Sequence, residues 1–184
     1  TNHLDGVTYG GNTFVAVGME GTILTSPDGI TWTTRTSGTT DNLSAVTYGN
    51  GMFVAVGPAR QIFTSPDAIT WTIRTYGPGV GLFGVTYGNG MFVAVGMAET
   101  ILTSPDGITW TTRAFGNTNQ LSGVTYGSGM FVAVGAGGTE GMILTSPDGV
   151  TWTARTSGST RWLCGVNYGS GIFVAVGDAG TILT

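Results

Sequence analysis

Five times along the chain the run Phe-Val-Ala-Val-Gly returns, starting at Phe14, Phe53, Phe92, Phe131 and Phe173, at spacings of 39, 39, 39 and 42 residues. A second run, Ser104-Pro105-Asp106-Gly107-Ile108-Thr109-Trp110, returns in near-identical form from Ser26 to Trp32, Ser65 to Trp71 and Ser146 to Trp152. Self-similarity at this period means copies of one small unit. None can bury its own apolar face, so the copies must stack along a line or around an axis.

Each unit reads as four short strands. In the second, Leu43–Tyr48 is followed by Gly49-Asn50-Gly51, where Asn-Gly supplies the positive φ angles of a tight hairpin. Met52–Val56 forms the next strand and Gln61–Thr64 the third. The corner Ser65-Pro66-Asp67-Ala68 then turns the chain into a fourth, Ile69–Thr75. Helical spacing of apolar residues is absent. A lone four-stranded sheet leaves its faces wet, and radial packing is the common remedy for units of ~40 residues. First strands beginning at Leu4, Leu43, Leu82, Leu121 and Leu163 predict an all-β, five-bladed β-propeller of four-stranded antiparallel blades. The 184 residues form a single domain with repeats at about 1–39, 40–78, 79–117, 118–159 and a partial 160–184. A parallel β-helix is the alternative, disfavoured by the hairpin turns.

The Ser-Pro-Asp-Gly-Ile-Thr-Trp run resembles the Asp-box, or bacterial neuraminidase repeat, found in sialidases, some glycan-processing propellers and the photosystem II assembly-factor family. It is one residue shorter than usual between Asp and Trp. The resemblance implies a propeller whose boxes are corners between third and fourth strands, remote from the binding face. The residues agree: Asp106 is suited to accept backbone N–H groups across the corner, and Trp110 to act as a large buried anchor.

The fifth unit stops at Thr184, where the fourth unit has Thr145, and its outer strand is missing at both chain ends. One ring of five blades is expected. The missing strand would come from residues outside this sequence or from another copy, or the ring would close by packing alone. An open edge at Thr181–Thr184 also makes self-association through the fifth blade an expectation.

The charges sort by position. Asp28, Asp67, Asp106 and Asp148 in the corners balance Arg35, Arg74, Arg113 and Arg155 on the fourth strands, where pairing with carboxylates or carbonyls is expected. The remaining charges are Asp5, Glu20, Asp41, Glu99, Glu140 and Asp178 against Arg60 and Arg161, and they carry the whole net charge of -4. All lie in second-to-third strand loops or inter-unit connections, which leave an up-and-down blade on the same side. One face is therefore expected to be uniform and the other varied and acidic. The chain has no lysine, which argues against nucleic acid. No apolar run approaches the ~20 residues of a membrane helix. The one cysteine, Cys164, is expected to be a small buried filler, and His3 a solvated loop residue.

Irregular aromatics follow the same face. Tyr76, Phe115 and Trp162 fall in inter-unit connections, and Phe83 opens a first strand. Exposed aromatics beside carboxylates suit a site for peptides, sugars or cations. The predicted binding set is Trp162, Arg161, Tyr76, Phe115, Glu20, Arg60, Glu99, Asp178 and Asp41, with Trp162 the residue most expected to be exposed. No catalytic residues, metal or cofactor are assigned: neither a Ser-His-Asp set nor a His/Cys metal pattern is present, and the arginine cluster of a sialidase is lacking. The expected function is a non-enzymatic scaffold for a protein or peptide. A glycan-binding lectin is the second reading. A recently amplified or engineered repeat without an evolved ligand is the third.

Overall fold

The computed structural model describes residues 2–59, 61–75, 80–113 and 119–184. It is an all-β, five-bladed propeller arrangement of antiparallel meanders. Blade 1 holds β1 (Leu4–Gly10), β2 (Thr13–Gly18), β3 (Ile23–Ser26) and β4 (Thr33–Arg35). Blade 2 holds β5 (Ala45–Gly49), β6 (Met52–Val56), β7 (Gln61–Ser65) and β8 (Thr72–Thr75). Blade 3 has β9 (Leu82–Gly88), β10 (Met91–Gly96), β11 (Ile101–Ser104) and β12 (Thr111–Arg113). Blade 4 has β13 (Gln120–Gly127), β14 (Met130–Gly137), β15 (Glu140–Ser146) and β16 (Thr153–Thr156). Blade 5 has three strands, β17 (Leu163–Gly169), β18 (Ile172–Gly177) and β19 (Ile182–Leu183).

The Phe-Val-Ala-Val run explains how blades stack. Alternation sends its two valines to one face of the sheet and Phe and Ala to the other. Val54, Val56 and Ile62 of blade 2 thus pack against Leu82, Val85, Phe92, Ala94 and Leu102 of blade 3. The same apolar layer recurs between blades 1 and 2 and between blades 3 and 4, and in smaller form between blades 4 and 5. Phe53, Phe92 and Phe131 are fully buried, each worth about 2–3 kcal/mol. They, not the box tryptophans, are the anchors: Trp71, Trp110 and Trp152 are only half-buried and Trp32 is exposed.

Each corner is braced as its residues imply. Ser104 Oγ donates to Asp106 Oδ1 at 3.0 Å, while the N–H groups of Ile108 and Thr109 both donate to that same oxygen at 2.8 Å. Trp110 Nε1 closes the turn on Gly107 O at 2.9 Å. Because these N–H groups serve the aspartate, they cannot join a ladder. The fourth strand of blade 2 consequently starts at Thr72 and not at Ile69. The fourth-strand arginines find threonines: Arg113 Nε donates to Thr103 Oγ1 at 3.0 Å, and Arg35, Arg74 and Arg155 repeat the contact. Arg113 stands opposite Ile101, so Thr103 is its diagonal neighbour on the same face, which brings a hydroxyl within reach of the guanidinium.

A bulge interrupts β1, β9, β13 and β17 just after the leading leucine, leaving Asp5, Phe83, Ser122 and Cys164 as the extra residues. Cys164 is therefore exposed and not a buried filler, since a bulge residue is turned out of the ladder.

The expectation of one closed ring is not met. Among the described residues the packed pairs of inner strands are β1–β5, β5–β9, β9–β13 and β13–β17, with no comparable pair between β17 and β1. Val7 is 65% exposed where its counterparts Val46, Val85 and Val124 are buried. Val174 and Val176 are 37% and 46% exposed where Val54, Val56, Val93 and Val95 are buried. The five blades form an arc, open between the first and the last.

Candidate functional site

Up-and-down blades deliver their second-to-third strand turns and their inter-blade connections to one face. In blades 1, 3 and 5 the turn is a three-residue 3-10 segment: Met19–Gly21, Met97–Glu99 and Asp178–Gly180. Its middle residue has a positive φ in all three, at Glu20, Ala98 and Ala179. The acidic residue occupies a different position in each, and that decides where its carboxylate goes. Glu20, in the middle, is exposed and accepts from Asn2 Nδ2 at 3.2 Å. Asp178, in first place, is also exposed. Glu99, in third place, sits where the other turns have Gly21 and Gly180. At Gly21 a side chain would run into Thr39 of the following connection. Glu99 is accordingly 2% exposed, not displayed, and accepts from Asn119 Nδ2 at 2.7 Å.

Blade 4 breaks the pattern. The spacing of 42 between Phe131 and Phe173 marks three extra residues, which lengthen β14 and β15 into a hairpin through Gly138 and Thr139. The connection from blade 4 to blade 5 folds against it. Ser159 Oγ accepts from Arg161 N and donates to Arg161 O, both at 3.0 Å. Trp162 Nε1 donates to Gly138 O at 3.0 Å, and Trp162 O accepts from Asp178 N at 3.0 Å. The indole remains 52% exposed. Around it opens a cleft of about 350 Å³ lined by Gly138, Thr139, Thr160, Arg161, Trp162 and Asp178. Three of the sequence-predicted residues meet here: Arg161, Trp162 and Asp178. Nearby, Cys164 Sγ donates to Asp178 Oδ1 at 3.6 Å. Partial desolvation, and then the Asp178 carboxylate, push the thiol's pKa up and hold it protonated.

Among the described residues, Glu20, Glu99 and Asp41 of the predicted set do not line this cleft. Asp41 is exposed in the connection from blade 1 to blade 2, where it accepts from Thr39 Oγ1 at 3.3 Å. Arg60, Tyr76 and Phe115 lie outside the described residues. His3 is exposed, with Nδ1 2.8 Å from Asp5 Oδ1.

Two features escaped the sequence reading. Gly138 and Thr139 form one wall of the cleft, and the 42-residue spacing was their signal. A polar groove also recurs beside the fourth strand in blades 1 and 4. Arg35, Thr36, Ser37, Gly38 and Thr39 line the first, of about 730 Å³, and Arg155, Thr156, Ser157, Gly158 and Ser159 the second, of about 490 Å³. The shared Arg-Thr-Ser-Gly run was the sign of it. Among the described residues no three His, Cys, Asp or Glu side chains gather as metal ligands do.

Four four-stranded blades and a three-stranded fifth, fanned about an axis with variable loops gathered on one face, define the class: a β-propeller. Solved propellers share this shape. YCF48 from Cyanidioschyzon merolae superposes with a TM-score of 0.76 at 17% identity over 98% of this chain and 66% of its own. YCF48 bound to a D1 peptide gives 0.77 at 18% identity over 99% and 64%. A chain of the nidogen/laminin complex gives 0.77 at 14% identity over 96% and 72%. The chain thus spans about two thirds of the length of the YCF48 structures, and at these identities what is shared is the fold. No protein-family profile matches the chain, and no curated protein matches it in sequence.

Proposed function

We propose that the chain is a non-enzymatic scaffold that binds a protein or peptide through its variable loop face, at the cleft between blades 4 and 5. The observation that carries this reading is Trp162. Its indole is held at one edge by Gly138, half open to solvent, and flanked by a cation at Arg161 and an anion at Asp178. A rigid aromatic platform with a charge on either side suits a peptide, whose backbone and side chains offer partners to all three. The peptide held by a YCF48 propeller of the same shape supports the class of ligand. We read the corners as shortened Asp-boxes, supported by the Ser-Asp-Trp bracing, which assigns them to scaffold and not to site.

The test is selection of binders from a displayed random-peptide library, followed by calorimetric titration against the protein and Trp162→Ala. The expected result is peptides whose affinity falls at least about tenfold in the variant with melting unchanged. Selected peptides that bind both equally would place the site elsewhere. The lectin reading draws on the hydroxyls of Thr139 and Thr160 beside the exposed ring. A glycan-array hit abolished by Trp162→Ala, with no peptide selected, would favour it.

A further inference from the structure

We infer that the slot between blades 1 and 2, at the corner end of the sheets, binds a small zwitterion, a free α-amino acid, with its carboxylate on Arg35 and its ammonium on Asp67. One departure from the repeat opens this slot. Blades 2, 3 and 4 have Met52, Met91 and Met130 ahead of the shared phenylalanine, and blade 1 has Thr13. At the two following junctions the methionine lies against the next corner: Met52 Cγ and Met91 Sδ stand 3.5 Å from where a Cβ on Gly107 and on Gly149 would be. The corner of blade 2 has Ala68 at that position, and its methyl group is buried in the layer between blades 1 and 2. Thr13 is too short to fill what a methionine fills. A cavity of about 210 Å³ remains, with Thr13 and Ala68 in its lining.

The lining carries opposite charges that do not meet. Alternation puts Thr13, Thr25, Thr33 and Arg35 on the same face of blade 1 as Val15 and Ile23, which pack against blade 2. Arg35 Nε is taken by Thr25 Oγ1 at 2.8 Å, and the terminal nitrogens have no protein partner among the described residues. On the blade 2 side, Asp67 Oδ1 accepts from Ser65 Oγ and from the N–H groups of Ile69 and Thr70. Those N–H groups keep the carboxylate ionised far below neutral pH, and three of its roughly four acceptor sites are used. Arg35 and Asp67 line one cavity without pairing: among the described residues the one ion pair is between His3 and Asp5. A guanidinium and a carboxylate that share a gap, each with capacity left, suit a molecule bearing one charge of each sign. The hydroxyls of Thr13 and Thr33 add hydrogen bonds, and Ile69 gives a side chain an apolar wall. No aromatic ring lines the slot to cover the face of a sugar. The site lies at the opposite end of the blades from the Trp162 cleft and does not depend on it.

The test is calorimetric titration with the free L-amino acids of proteins, one at a time at millimolar concentration, on wild type and on Thr13→Met/Ala68→Gly. The double variant gives this junction the residues of the next two, so the slot is filled. It also places glycine at a φ of 62°, so its melting is expected to be no lower than that of wild type. At least one amino acid is expected to bind wild type and to lose about tenfold or more in affinity in the double variant. The N-acetyl and carboxamide forms of that amino acid each lack one charge and are expected to bind about tenfold or more weakly, as is the free form to Asp67→Asn. Trp162→Ala is expected to bind it as wild type does. Should the double variant fail to fold, the blocked ligands and Asp67→Asn decide. Absence of binding by every amino acid overturns the inference, as does unchanged binding by the double variant or equal affinity for the blocked forms. A neutral sugar that binds wild type but not the double variant, where no amino acid binds, overturns it in favour of a polyol site.

Discussion

The ring of Tyr126 fills the space that a side chain on Gly88 would need. Gly88 has ordinary extended backbone, so nothing in its own conformation demands glycine; the neighbouring blade does. Gly88→Ala is therefore expected to destabilise through overpacking alone, by about 1–3 kcal/mol. Urea denaturation of Gly88→Ala beside Gly90→Ala separates the causes. Gly90 has open space around it and a φ of 74°, so its substitution measures backbone strain without a clash. Equal stability of Gly88→Ala and wild type would mean that the blades sit further apart than described.

Ser104 is wholly buried and ties two parts of its corner together, donating to Asp106 and accepting from the Gly107 N–H at 2.8 Å. Ser104→Ala leaves that N–H without a partner in a dry site, at a cost of about 1–2 kcal/mol. Chemical denaturation should show a lower midpoint with an unchanged slope. An unchanged midpoint would show that the corner contributes geometry and no stability.

The corners also set the acid limit. The N–H groups of Thr70 and Ile69 hold the Asp67 carboxyl down at about 2, from an ordinary value of 3.8, and the pKa values of Asp28, Asp106 and Asp148 move the same way for the same cause. A depressed folded-state pKa contributes stability that is present above the unfolded value and lost as pH falls through the folded one. Urea midpoints are thus expected to hold down to pH about 4 and to fall between about 4 and 2. Asp67→Asn keeps an acceptor oxygen without the titration and should show a shallower fall. A variant profile parallel to wild type would assign the acid sensitivity to other groups.

Architecture was legible because the repeat period, the Asn-Gly hairpins and the alternation of Phe-Val-Ala-Val all point to the same sheet. Features that depend on neighbouring blades were harder to read. Neighbouring blades touch through pairs such as Gly49 and Tyr87, whose partnership across 38 residues leaves no local trace in the sequence. The bulge at Cys164 reverses the facing that strict alternation assigns to it. Glu99 and Glu20 look alike in sequence, yet one position along a three-residue turn separates a buried carboxylate from an exposed one. In the cleft, Trp162 and Arg161 were visible as departures from the repeat. Gly138 was hidden because its role is a carbonyl, which any residue has.

Two tryptophans test whether scaffold and site are separate. Trp152 closes its corner on Gly149 O at 2.8 Å and packs toward Phe131, ring centroids 6.4 Å apart. Trp162 makes the same kind of bond to Gly138 O at 3.0 Å but faces solvent. Trp152→Ala removes apolar area from a blade junction and is expected to cost about 2–3 kcal/mol, with binding to selected peptides intact wherever the protein remains folded. Trp162→Ala is expected to cost no more than about 1 kcal/mol while removing most of that binding. Differential scanning calorimetry and titration on the same samples read both quantities. If Trp162→Ala proves the more destabilising, the indole is a prop for the blade 4 hairpin, and the ligand surface must be sought among the polar grooves beside Ser37 and Ser157.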